Sequence, residues 1–404
     1  MATKITFPTI QILILSIFIH SSFAAKKGGG GGGAVPVYNV QSFGAKANGK
    51  SDSTHAFLSA WAAACASVQP ATIYVPPGRY LIGAAAFWGT TCKNSGITLR
   101  IDGTLVAPSD YNVLGRSGSW IKFERTDGLT ILGGTLDGQG ASLWACKNHG
   151  RNCPKGTQSL GVYNSNNVMV NGLTSLDPQF FHIIIDGCHN IKLLGMTISA
   201  AADSPNTDGI HVQSSSGVTI KNAQIRTGDD CISLGPGSTN VWAENIGCGP
   251  GHGISIGSLG SNLNEPGVQN VTVKSVTFTG TENGVRIKTW AKQSNGFVRG
   301  VLFQHATMNN VQNPIIIDQN YCPNGDGKCS GQSSGVKISG VTYQDIHGTS
   351  ATQVAVNFDC SKKYPCSGIT LQDVHLSYQN RPATSSCSNA GGSSAGLVDP
   401  RSCL

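Results

Sequence analysis

Asn206-Thr207-Asp208-Gly209-Ile210-His211-Val212, Gly228-Asp229-Asp230-Cys231-Ile232-Ser233-Leu234-Gly235 and Gly251-His252-Gly253-Ile254-Ser255-Ile256-Gly257-Ser258 belong to one stretch, Asn206 to Ser258, and their alignment decides the fold. Ile210 and Val212 fall on Ile232 and Leu234, and these fall on Ile254 and Ile256, at a step of 22 residues taken twice. Inside each segment apolar residues alternate with small or polar ones, the pattern of a strand with one buried face. A regular step with that alternation predicts a stack of coils, each turn of chain lying on the one before. Neighbouring strands in such a stack stand about 4.8 Å apart. Asp208, Asp230 and His252, each two residues ahead of its first apolar position, should then form a column on one edge, with Asp229 beside it. Carboxylates that close do not titrate independently, and carboxyl groups whose ionisation is pushed apart are what acid–base hydrolysis requires.

The same theme recurs outside the stretch: a glycine or asparagine, then alternating apolar residues. It appears at Gly96-Ile97, Gly128-Leu129, Asn167-Val168, Asn190-Ile191, Gly217-Val218, Asn240-Val241, Asn270-Val271, Gly300-Val301, Gly335-Val336 and Gly368-Ile369. The expected fold is an all-β solenoid of about ten coils. At its start, Tyr38–Phe43 alternates like a first strand, and Asp52–Cys65 reads as a helix with Ser51 or Asp52 as its cap. Phe57, Trp61 and Ala64 share one face, so this helix is expected to cap the open end of the stack and hide its edge. Thr72–Val75 reads as a strand stopped by Pro76-Pro77-Gly78. The Ser- and Gly-rich tail, Arg381–Leu404, is expected to lie over the last coil.

Residues 1–24 carry the marks of a secretory signal: Lys4, an apolar run from Ile10 to Ile19, and Ser22-Phe23-Ala24. Residues 25–34 are a glycine-rich tether, and residues 35–404 are expected to be one catalytic domain. No later segment is long and apolar enough to span a bilayer, so the mature chain is expected to be exported, free of the membrane and monomeric. The formal charge of +7 fits an anionic partner such as an acidic polysaccharide. Nucleic acid is disfavoured, because the compartment is wrong and no basic run is interleaved with aromatics. Export also favours pairing of the 13 cysteines. Spacing suggests Cys146–Cys153, Cys322–Cys329, Cys360–Cys366, Cys231–Cys248, Cys65–Cys92 and Cys387–Cys403, leaving Cys188 as a free thiol. No C-x-x-C occurs, which argues against zinc. One sequon, Asn270-Val271-Thr272, is a candidate glycosylation site.

A lone aspartate in a β-rich chain usually caps a turn. Three brought together by register, with His252 one coil on, point instead to chemistry. Calcium is the competing use of three carboxylates. Against it, Val285 and Ile287 of the next coil match Ile210 and Val212, which places Arg286 and Lys288 on the outward face with His211, Ser233 and Ser255. Two cations there repel a metal and suit a substrate carboxylate, Arg as a fork and Lys as a point charge. No metal or cofactor is expected.

NTDG, GDDC, GHG and RIK, in this order, resemble the four signatures of the polygalacturonases, glycoside hydrolase family 28. The contexts SPNTDGIHV, GDDCISLG, CGPGHGISIGSLG and RIKTW resemble the plant members in particular, and the likeness runs from about Val35 to the C-terminus. The resemblance implies a single-stranded right-handed parallel β-helix that hydrolyses the α-1,4 bonds of polygalacturonate with inversion, in the extracellular space and cell wall. It also implies roles: Asp229 as general acid, Asp208 and Asp230 holding and activating the water, His252 tuning the acid, Arg286 and Lys288 binding galacturonate, and Asn206 and Tyr321 lining the cleft. His182, one coil earlier, is a further candidate for the groove, or else a structural histidine. Two rivals are a pectate lyase-type β-helix, which eliminates with calcium and an arginine base, and a non-catalytic wall-binding solenoid. Internal or terminal attack is open at this point; Trp144–Gly161 and Ser258–Gly267 are the insertions that could close one end of the groove.

Overall fold

The repeat of 22 residues is one coil of a right-handed parallel β-helix. Ile210 pairs with Ile232 and Ile232 with Ile254 in parallel register, and the ladder continues onto Val285 and Ile315. The computed structural model describes residues 35–150, 152–323, 329 and 332–404, so the leader and the tether lie outside the described residues. Val35–Leu404 forms one compact unit. None of the helices among the described residues is long and apolar enough to cross a membrane.

One face of the solenoid is an eleven-stranded parallel sheet with one strand per coil, from Ala85–Trp88 to Thr384–Ser388. This is the site sheet. The rest of each coil forms a second sheet at the back. Its later strands, such as Ser216–Arg226 and Val268–Thr279, bend at a left-handed residue, Asn222 or Ser275. Alternation sorts the side chains. Ile183, Ile210, Ile232, Ile254, Val285 and Ile315 stack in the interior, fully buried, each aliphatic contributing roughly 1.5–3 kcal/mol by leaving water. Their neighbours His211, Ser233, Ser255 and Arg286 stack outward on the other side of the same strands.

The turn that leaves the site sheet needs a left-handed residue in nearly every coil, which is why asparagine and glycine mark it. Asn167, Asn190, Asn240 and Asn270 all have positive φ. Their amides bond along the stack: Asn190 Nδ2 donates to Asn167 Oδ1 at 2.7 Å, and Asn270 Nδ2 to Asn240 Oδ1 at 2.6 Å. The register corrects one member of the series. Val301 pairs with Val341 and Val341 with Ile369, so the turn of that coil is Gly340-Val341, not Gly335-Val336. Gly340 holds the left-handed φ of 61°, whereas Gly335 packs against the Ser294 backbone in the preceding loop.

The ends differ from the sequence reading in detail. The first strand covers only Val37–Asn39; Val40–Phe43 winds into a 3-10 turn because Asn39 Oδ1 accepts from Gln41 N and Gly44 closes the turn at φ 97°. The capping helix is Thr54–Ala66, with Ser53 in the cap position. The Ser53 hydroxyl instead bonds Lys46 N and Ser51 O, and Asp52 takes Thr54 N at 2.8 Å. The helix buries Phe57, Trp61 and Ala64 against the first coil, as its pattern indicates. The tail does not lie over the last coil; it is the last coil. Thr384–Ser388 joins the site sheet and Ala390–Asp399 the back sheet, both parallel to their neighbours. Its small polar residues leave a hydrated edge at that end. All six disulfides pair as the spacing suggests, and Cys188 is free and buried.

Candidate active site

In each coil the chain leaves the back sheet, turns and enters the site sheet. The turns before Ile210, Ile232, Ile254 and Val285 are consecutive along one edge, and they carry Asn206 to Asp208, Asp229-Asp230, His252 and Glu282 respectively. These turns are tightly held. Thr207 Oγ1 bonds Thr227 Oγ1 at 2.8 Å and Gly228 N at 3.1 Å, and His252 N donates to Asp229 O at 2.7 Å. A Cβ on Gly228 would run into the Ser204 backbone, and one on Gly253 into the Asn283 carbonyl, so glycine flanks the acids and the histidine by necessity. The Cys231–Cys248 disulfide anchors the coil behind Asp230.

A repeated device holds two of the aspartates. Ser233 Oγ donates to Asp208 Oδ2 and Ser255 Oγ to Asp230 Oδ1, each at 2.7 Å and each from the following coil. Above Ser255 stands Arg286, whose Nε donates to Ser255 Oγ at 3.0 Å and whose Nη2 donates to Asp230 Oδ1 at 2.7 Å. Lys288 Nζ takes Asp230 Oδ2 at 2.8 Å. Both oxygens of Asp230 are therefore occupied, and the side chain is 2 % exposed. Burial by itself raises its pKa, but Lys288 and Arg286 outweigh burial and hold the group below the ordinary carboxylate range.

Asp208 is almost as buried and has no cation bonded to it. Burial, then the charges of Asp229 and Asp230, push its pKa well up. Asp229 is the most open of the three. Its Oδ1 accepts from Asp230 N at 2.8 Å and lies 3.1 Å from His252 Nδ1; among the described residues its Oδ2 has only Asn206 Nδ2, at 3.5 Å. His252 bridges Asp229 and Glu282, whose Oε2 is 3.4 Å from Nε2. Burial works against the imidazolium, but the Asp229 bond and the charges of Asp229 and Glu282 prevail and raise its pKa.

Tyr321 ends its site-sheet strand with Lys288 Nζ 5.5 Å from its ring centre, and Trp290 meets it edge-on. His182 does not join this group. It is fully buried, with Nδ1 2.9 Å from Ser175 Oγ, and burial takes its pKa down to about 3. Glu282 was not singled out from the sequence, although it stands three residues ahead of Val285 as Asp229 stands three ahead of Ile232. Asp229, Asp230 and His252 present ligand atoms within 4.8 Å of one another. A cation could use Asp230 only by displacing Arg286 and Lys288, so the donor set suits an anionic substrate better than a metal.

The family model for glycosyl hydrolases family 28 matches residues 65–397. A polygalacturonase of Prunus persica is 61 % identical over 368 residues, which cover 91 % of this chain and 93 % of that protein. An exopolygalacturonase of Platanus acerifolia is 48 % identical, covering 87 % of this chain and 94 % of that one. Among solved structures, the endo-xylogalacturonan hydrolase of Aspergillus tubingensis superposes with a TM-score of 0.76 at 22 % identity, over 90 % of this chain and 100 % of that one. The polygalacturonase of Erwinia carotovora does so with a TM-score of 0.64 at 22 % identity, over 93 % and 99 %.

Proposed function

The chain belongs to the glycosyl hydrolases of family 28 and is an inverting polygalacturonase; we propose that it cleaves the α-1,4-galacturonosidic bonds of de-esterified pectin, with Asp229 as the general acid. The observation that carries this assignment is the contrast between the neighbouring carboxyls. Asp230 is locked between two cations, Asp208 is held by Ser233, and Asp229 is the most exposed of the three, its Oδ2 meeting nothing nearer than Asn206 Nδ2 at 3.5 Å. Asp229 protonates the leaving oxygen while Asp208 and Asp230 hold and deprotonate the water that attacks from the opposite face, the single displacement of inverting glycosidases. In this single displacement the leaving oxygen takes its proton from Asp229, and the attacking water gives its own to the carboxylate that holds it. His252, between Asp229 and Glu282, is the element that tunes this transfer. Arg286 and Lys288 bind the galacturonate carboxylate, with Asn206 and Tyr321 lining the cleft.

Secretion to the cell wall, a glycan on Asn270 and a monomeric state belong to the same reading. It is supported by the signal-like leader, the disulfides and the exposed sequon. The test is hydrolysis of polygalacturonate. New saturated reducing ends of inverted configuration, formed without calcium and lost in Asp229→Asn, are expected; an unsaturated, UV-absorbing product would mean elimination. A rapid fall in viscosity marks internal attack, and steady release of monomer marks attack from a chain end.

A further inference from the structure

Arg286 and Lys288 flank the aspartates on the C-terminal side. A second cation pair lies on the other side. Between the back-sheet strand Thr135–Asp137 and the site-sheet strand Gln158–Tyr163 the chain inserts the helix Ala141–Asn148 and a loop closed by Cys146–Cys153. Leu160 pairs with Ile183, Ile183 with Ile210 and Ile210 with Ile232. The insertion therefore occupies, in its own coil, the turn that Asp229-Asp230 occupies three coils later on the same edge. Three strand spacings amount to about 14 Å, a distance that a short galacturonate chain spans.

Two lysines meet on this insertion. Lys147 Nζ lies 5.6 Å and Lys155 Nζ 4.6 Å from the centre of the Phe180 ring, and Lys147 Nζ donates to the Lys155 carbonyl at 2.8 Å. Among the described residues neither ammonium has a carboxylate partner, whereas Lys122, Lys221 and Lys288 each have one at 2.8 Å. The pair is joined to the aspartates by a continuous stack. Phe180 lies on Phe181 with ring centres 4.1 Å apart, Phe181 lies on His211 at 4.9 Å, and His211 Nδ1 is 3.9 Å from Asp208 Oδ2. Burial, then the charge of Lys155, lowers the Lys147 pKa, as expected for two cations held together without an anion. An arriving carboxylate would relieve that repulsion. The substrate read above carries a carboxylate on every ring, and the aspartates it must pass repel it.

We propose that Lys147 and Lys155 form a distal subsite that binds a galacturonate carboxylate on the N-terminal side of the groove, so that a bound chain is held by cations on both sides of the aspartates. The proposal rests on the polygalacturonase reading and adds a chain-length dependence to it.

The test compares wild type with Lys147→Ala/Lys155→Ala on oligogalacturonates of increasing length. The loss in kcat/KM is expected to grow with length, reaching about tenfold on chains long enough to span both cation pairs, and to lie in KM. It should shrink at high salt and be recovered in Lys147→Arg/Lys155→Arg. Thermal unfolding checks that the double variant folds; Lys155→Ala, at an exposed position, carries the same test if it does not. An equal loss at every length, or none at any, overturns the subsite. Failure of the wild type to cleave any oligogalacturonate overturns the polygalacturonase reading and the subsite with it.

Discussion

The two edges of the site sheet are built alike and used oppositely. Where the chain leaves the sheet, two pairs of neighbouring coils repeat asparagine, and within each pair the later amide donates to the earlier: Asn190 to Asn167, Asn270 to Asn240. Where the chain enters it, successive coils repeat Asp208, Asp229-Asp230, His252 and Glu282. A parallel stack forces like onto like. Amides carry a donor and an acceptor, so stacking satisfies them; carboxylates carry acceptors alone, so stacking sets them against one another. The second edge is tolerable because Ser233, Ser255, Arg286 and Lys288 approach from the next coils, while the Asp208 pKa is pushed up by burial and by its acidic neighbours. The fold is the same on both sides, and the strain needed for acid–base chemistry comes from the residue type placed in the turn.

That contrast breaks first at the groove carboxyl. Asp229→Asn should lower turnover on polygalacturonate by about 10²–10⁴ while costing at most about 1 kcal/mol of stability, because the change keeps the side chain's shape and weakens only its contact with His252; steady-state rates beside thermal melts check both halves. Asp230→Asn should reverse the balance of effects on the fold. It strands Arg286 and Lys288 as buried cations and should cost about 3–5 kcal/mol in chemical denaturation. Near-equal stabilities for the two variants would erase the distinction between the locked and the open carboxyl.

Acidity sharpens the comparison further. His252 has its folded pKa raised above the ordinary 6.5. Its pairing with Asp229 and Glu282 therefore adds stability that is full below that value and is lost as pH rises through the folded pKa. Unfolding temperatures of wild type and His252→Gln should differ most in mild acid and converge in mild alkali, with turnover of wild type falling on the same limb. The smallest effect belongs to the other edge. Asn240→Ala, in the amide ladder, should cost about 1 kcal/mol of stability and leave turnover unaltered; a large kinetic effect there would mean that the edges are not independent.

Much of this was legible in the letters because a parallel stack converts sequence spacing directly into neighbours. The step from Ile210 to Ile232 to Ile254 places the acids, and the matching of Val285 to Ile254 brings Arg286 above Ser255. What escaped depends on side chains closing in space. Attention to the column two residues ahead of each apolar position passes over Glu282, which sits in the column of Asp229 one residue earlier. His182 belongs to the column of Gly209 and Cys231, which faces the core, and so cannot reach the groove. The tail was misread because its Ser and Gly residues lack apolar alternation; pairing with the preceding coil, not burial, makes it a coil. Which carboxyl acts as acid is likewise beyond periodicity, since it turns on who approaches each oxygen.

That assignment can be tested by removing the need for an acid. On an oligogalacturonide with an acidic phenol as leaving group, protonation of the departing oxygen is unnecessary. Asp229→Asn should then regain most of the wild-type rate, while Asp208→Asn should stay impaired because its water is no longer activated. Recovery of Asp208→Asn with continued failure of Asp229→Asn would make Asp208 the acid and contradict the account.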